Sequence, residues 1–275
     1  MMEEITDYTG PGRLLRLASD GVGLPVLLTH GTFSNAATCA PLASYLAGRG
    51  HPVYVAEWRG RGGQPGRFDF HDLAEGEIAS ALRHLRQIGP LHLVAHSGGG
   101  LALTFASMEA TLRPSIASLS LIATQATHLT DARRVDYWGV RFWALWGRIF
   151  GYWPARRLGL GPCNESSALL SHWLAFNRAR RITDRTGADI FPGLAMLDLP
   201  VLALAGAADH TIARPDGCRT LAQAFGPSAQ FHLCDAVSDG EDFTHARLFK
   251  SRAAERSVWP RLARFFAQVE GAGRQ

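Results

Sequence analysis

Short, nearly continuous apolar runs punctuate the chain at Leu24 to Thr29, Pro52 to Ala56, Leu91 to Ala95, Ile116 to Ile122 and Leu199 to Ala205. Runs this short, without polar alternation, suit strands buried on both faces, as in a parallel sheet. Between the second and third runs, Ile78, Leu82 and Leu85 fall at i, i+4 and i+7, the spacing of an amphipathic helix, with Asp72 placed to help begin it. Strand, helix and strand in that order make the crossover unit of a parallel sheet. Gly12 to Ala18 and Ala229 to Cys234 read as further strands, and Val258 to Val269 as a closing helix. The pattern predicts one α/β core, a mostly parallel central sheet with helices on both faces, built from residues 1–126 and 194–275.

Residues 127–193 break the alternation and read as a helical cap inserted above the sheet: they offer no good strand and hold five of the seven tryptophans. Trp138, Phe142, Leu145, Trp146, Ile149 and Trp153 form one helical stripe, with Arg141 and Arg148 on a different edge. A second helix is predicted from Glu165 to Arg181, its acidic start and arginine-rich end both agreeing with the helix dipole. The cap carries ten arginines against five acids, a balance that suits either an anionic ligand or a solvated helical face.

Composition narrows the class. At 47% hydrophobic and 19% charged, the 275 residues have material for a packed core. A net charge of +4 is too small and dispersed for a nucleic-acid footprint. The basic residues are arginines apart from Lys250. Cys39, Cys163, Cys218 and Cys234 form neither a redox pair nor a zinc spacing, so buried thiols are expected. The first residues show no secretory pattern, and Arg141 and Arg148 interrupt the most apolar segment short of the ~18 residues a membrane span needs, so a soluble, cytoplasmic protein is expected.

Chemistry concentrates at Leu91 to Gly100, where an apolar strand runs into Ser97, three glycines and a helical stretch from Leu101 to Met108. That is the pattern of a nucleophile elbow, G-x-S-x-G with Ala95 in the first glycine position. A serine hydroxyl needs an imidazole to take its proton and a carboxylate to orient that imidazole. In chain order the acid follows a late strand and the histidine lies near the end. Gly206-Ala207-Ala208-Asp209 follows the run at Leu199 to Ala205, and His245 stands in the loop after the last strand, ahead of a helical segment. His51, His71, His84 and His92 precede the elbow, His128 and His172 lie in the cap, and His210 and His232 sit beside the acid or inside the last strand. Asp198 precedes its strand, while Asp235, Asp239 and Asp242 share the histidine's own loop. Ser97, Asp209 and His245 are therefore the expected triad. No H-E-x-x-H ligand set is present, and the chemistry requires neither metal nor cofactor.

An acyl-transfer site also needs donors for the oxyanion, and backbone amides supply them. The Gly98 N–H is one; the other comes from the loop His30-Gly31-Thr32-Phe33-Ser34-Asn35, with Thr32 the candidate and Phe33 the alternative. Gly31 permits the turn and His30 braces the loop by hydrogen bonding.

Taken with Glu57-Trp58-Arg59-Gly60-Arg61-Gly62-Gly63 and Asp242 to Phe249, these motifs resemble the α/β-hydrolase superfamily over nearly the whole length, and within it the acid lipase and carboxylesterase branch. The resemblance implies ester hydrolysis through an acyl-serine, acting on a small-molecule substrate with an apolar part bound by Phe33, Trp138, Phe142, Trp143 and Trp146. The same aromatics would equally serve to pack the cap on the sheet. Thioester hydrolysis or acyl transfer by the same triad, and a non-catalytic receptor of the same fold, remain open at this level.

Overall fold

The computed structural model describes residues 2–129, 145–147 and 149–273. Eight strands form one sheet in the order β1-β2-β4-β3-β5-β6-β9-β10, comprising β1 (Met2–Glu4), β2 (Arg13–Leu17), β3 (Val26–Thr29), β4 (Val53–Glu57), β5 (Leu91–His96), β6 (Ile116–Ile122), β9 (Val201–Gly206) and β10 (Ala229–Cys234). The first two strands are antiparallel to their neighbours and the remaining six run parallel. Each apolar run in the sequence is a strand of this sheet.

Alternation within those runs separates two cores. On β3, Leu27 faces the layer that holds α2 (Ala79–Leu85) and α3 (Gly98–Met108), whereas Val26 and Leu28 face α1 (Ala36–Ala47) and α7 (Trp259–Ala272). Successive side chains of a strand point to opposite faces, so a run covered on both sides must be apolar throughout. The crossover helix begins one turn earlier than expected, at Phe70, and runs through the turn Phe70–Leu73 and a π-helical stretch at Ala74–Ile78 into α2. Asp69 is its N-cap, accepting the amides of His71 (2.8 Å) and Asp72 (3.0 Å), and Asp72 reciprocates by accepting the Asp69 N–H (2.9 Å). Asp72 is thus the third residue of a capping box.

The segment between β6 and β9 departs further from expectation. Leu145, Trp146 and Ile149 are helical, but Gly151 (φ +77°) ends that turn and Trp153 lies in a short strand, so the apolar stripe is not one helix. β7 (Tyr152–Trp153) pairs antiparallel with β8 (Glu165–Ser166). The next helix, α4 (Ser167–Ala179), therefore starts after Glu165, and it closes on Arg180 in the left-handed region. Two-residue strands carry too little periodicity to be read from a sequence. The remaining helices near the site are α5 (Pro215–Ala224) and α6 (Arg247–Lys250). All four cysteines are buried and unpaired. Among the described residues, no helix is long and apolar enough to cross a membrane.

Candidate active site

β3 lies between β4 and β5, so the chain's path across the sheet reverses there, and a crevice opens at the carboxyl ends of the strands. Loops following β3, β5, β6, β9 and β10 converge on it. Ser97 joins β5 to α3 with φ +53° and ψ −126°, a conformation that costs a non-glycine residue about 1–3 kcal/mol. It is fixed from both sides: its N–H donates to Ile122 O (2.8 Å) and its carbonyl accepts from Thr124 Oγ1 (3.0 Å). The turn also demands close approach. A Cβ at Gly99 would run into His30 O, and one at Gly98 into Thr32 Oγ1. Ala95, by contrast, sits buried in β5, where its methyl is accommodated.

Asp209 leaves β9 and is 3% exposed. Its Oδ2 lies 2.6 Å from His245 Nδ1, and its Oδ1 accepts the Ile212 N–H at 3.1 Å. Burial pushes this carboxyl up, but the His245 hydrogen bond and charge, helped by the Ala213 and Ile212 amides, outweigh it and hold the group below the ordinary carboxylate value. An ionised Asp209 fixes the proton on Nδ1 and leaves Nε2 as the basic nitrogen. Chain order and position relative to the strands select these two residues in the sequence, 36 positions apart.

Around one cavity of about 340 Å³ stand Ser97, His245, Gly98, Thr32 and Phe33, with walls from Trp153, Leu170, Trp173, Leu174 and Ile212 and Lys250 at the edge. Trp146 packs on Phe150 at 4.1 Å; among the described residues, the aromatic side chains lining the cavity include Phe33, Trp153, Trp173 and Phe249. Trp138, Phe142 and Trp143 lie outside the described residues. Phe33 N–H, the alternative oxyanion donor, is directed to Glu165 Oε2 at 3.0 Å. Gly98 opens α3, where the first amides have no partner within the helix. His30 is buried and neutral: burial, then the Arg61 charge, pull it well below the usual histidine range. Its Nδ1–H donates to Gly31 O (2.9 Å), and its Nε2 accepts the Trp58 N–H (3.2 Å).

Three contributors escaped the sequence reading. His96, inside the elbow motif, donates from Nε2 to the His245 carbonyl (3.1 Å) and stacks on Phe249. Burial and the neighbouring His245 charge lower it to about 3, so it is a neutral brace. Gln125 donates to Ile212 O (2.6 Å) in the acid's loop and receives the Trp173 indole N–H on its own carbonyl (3.0 Å). Glu165 joins α4's leading strand to the loop after β3. Of these only His96 carried a signal, its place in the motif.

One group has the donor types for a metal. Ligand atoms of His232, Cys234 and Asp239 lie within 4.8 Å of one another. Asp239 is already engaged by His232 Nε2 (2.7 Å) and by Arg261 Nε (3.0 Å) and Nη2 (2.9 Å), and burial raises the Cys234 thiol far from its metal-binding thiolate form. The arginine supplies the charge that a cation would, so these residues form an ion-pair network.

A family model described as "Alpha/beta hydrolase family" matches residues 26–273. The chain belongs to this family. Solved structures similar to this hydrolase include a thermophilic esterase from Thermogutta terrifontis (22% identity, 98% of this chain and 99% of that one, TM-score 0.63). A monoacylglycerol lipase from Paleococcus ferrophilus is similar at 18% identity, 93% and 99% coverage and TM-score 0.64. An N-formylmaleamic acid deformylase from Pseudomonas putida S16 follows at 16%, 94% and 100%, and 0.59. Identities this low show a shared fold. No curated protein matches the sequence.

Proposed function

We propose that this α/β hydrolase cleaves carboxylic esters through an acyl-serine intermediate, with Ser97 as nucleophile, His245 as general base and acid, and Asp209 as the orienting carboxylate. The observation that carries the reading is the 2.6 Å Asp209–His245 bond beside a serine held at φ +53°, both facing one cavity. Ser97 Oγ attacks the ester carbonyl as its proton passes to His245 Nε2. The oxyanion is received by the Thr32 and Gly98 amides, and His245 returns the proton to the departing alcohol. Water then attacks the acyl carbon with the same histidine as base.

The reading extends to substrate shape. A cavity walled by Phe33, Trp153, Leu170, Trp173 and Leu174 favours an apolar acyl or alcohol part, and residues 127–193 act as the cap that encloses it. The test is hydrolysis of p-nitrophenyl esters from acetyl to long acyl by native protein and Ser97→Ala. Turnover that rises with chain length and vanishes in the variant is expected. Equal background rates in both would overturn ester hydrolysis, and a flat profile would overturn the apolar site.

A further inference from the structure

Residues 161 to 165 grip one residue of the loop after β3. The Phe33 N–H donates to Glu165 Oε2 (3.0 Å), across 132 positions of sequence, and the Phe33 carbonyl accepts the Cys163 N–H (3.1 Å). Gly161 packs so tightly that a Cβ there would overlap the Phe33 carbonyl. Phe33 itself is left-handed, at φ +63°. A bulky residue persists in that region only where its surroundings over-determine it. Here the surroundings belong to the segment between β6 and β9.

Glu165 also governs the other side of the loop. It is 0% exposed and receives Arg61 Nη2 on both oxygens (3.1 and 3.0 Å) and the Ser166 N–H on Oε1 (3.0 Å). Arg61 donates from Nη1 to Asn164 O (3.0 Å) and lies 4.8 Å over the Trp58 ring. Trp58 in turn donates to His30 Nε2 (3.2 Å) and, from its indole, to Thr29 Oγ1 (2.8 Å). Thr32 is thus bracketed. Phe33 is held directly by Glu165, and His30 is held through Arg61 and Trp58.

We infer that Glu165 is a positioning residue for the oxyanion hole: its carboxylate engages the Phe33 N–H, holds the loop in its left-handed turn and thereby aims the Thr32 N–H into the cavity. This rests on the serine-hydrolase reading above. It assigns the hole to Thr32 and Gly98, because Phe33 is already bonded elsewhere. It also means that the segment walling the cavity with Trp153 and Trp173 sets the transition-state geometry, so substrate fit and oxyanion stabilisation share one anchor.

The test compares Arg61→Met/Glu165→Gln with Arg61→Met/Glu165→Leu. Both remove the buried ion pair, which neutral residues of similar volume commonly replace without loss of stability. They differ in whether an acceptor faces the Phe33 N–H. The glutamine variant should keep a kcat within about threefold of native, and the leucine variant should lose about 10- to 100-fold in kcat with KM nearly unchanged. Inhibition by an alkylboronic acid, which mimics the tetrahedral adduct, should weaken by the same factor. Rates are expressed per active site titrated to its end point with a fluorophosphonate, which removes the effect of misfolded protein. Equal kcat in the two variants, or a loss seated wholly in KM, overturns the positioning role. Should the leucine variant not fold, Gly161→Ala leaves every charge in place while pressing on Phe33; a lowered kcat supports the role and an unchanged one overturns it. Ser97→Ala run alongside separates the two readings. Turnover that survives it refutes serine catalysis, whereas turnover lost in Ser97→Ala but equal in the two double variants refutes the positioning role alone.

Discussion

Asp209 accepts from His245 Nδ1 at 2.6 Å and from the Ile212 N–H at 3.1 Å, so its two oxygens do different jobs. Replacing it with asparagine keeps the shape but lets an amide N–H face Nδ1, which places the imidazole proton on Nε2 and removes the base. Asp209→Asn should lower kcat by about 10³- to 10⁴-fold with little change in melting temperature; stopped-flow or steady-state ester hydrolysis would read it, and a loss under tenfold would refute the tautomer argument. Selecting Asp209 and His245 from the sequence needed only chain order and strand ends. His96 and Glu165 were not legible in that way. His96 acts through a ring nitrogen on a backbone carbonyl 149 positions away, and Glu165 acts on a backbone amide, so neither leaves a pattern of residue types.

Among the elements, the strands of the main sheet were readable because burial on both faces removes polar positions from them. Element starts were less so. Asp72 is the expected helix start, but Asp69 accepts two amides as the N-cap while Asp72 closes the box. Asp69→Ala should cost about 1 kcal/mol of folding stability, measured by urea denaturation. Asp72→Ala should cost less, because it removes one reciprocal capping bond and an exposed ion pair with Arg185 rather than two capping bonds; the reverse order would refute this assignment. The apolar stripe ending in Trp153 failed as a helix because periodicity survives a glycine that the backbone does not. With Gly151 at φ +77°, Trp153 passes into β7 and reaches the cavity from there.

For the whole molecule, the site lies where the strand order reverses, and the layers above and below the sheet hold neutral histidines in place. Burial lowers His92 and His172 to about 4 and His96 to about 3, and it lowers His30 and His71 as well. An unfolded histidine titrates near pH ~6.5. Between that value and about 4 the unfolded chain binds protons that the folded chain refuses, so stability falls as pH falls, by at most roughly 1.4 kcal/mol per pH unit for each histidine. Asp209 acts in a lower window: its depressed carboxyl contributes stability above the ordinary carboxylate value, and this is lost on further acidification. Urea midpoints should drop between pH 7 and pH 5, with a shallower slope in His96→Gln; a flat profile would refute the neutral buried histidines.

Lys250 is the sole lysine of the chain, solvent-exposed on α6 and standing at the edge of the cavity. Amine-directed reagents therefore find one side chain to acylate, and it lines the same cavity as Ser97 and His245. Succinimidyl dyes or surface coupling would sit against that cavity or tether the protein by its wall, so the same linkage would serve as a reporter of occupancy and as an obstruction to ligands.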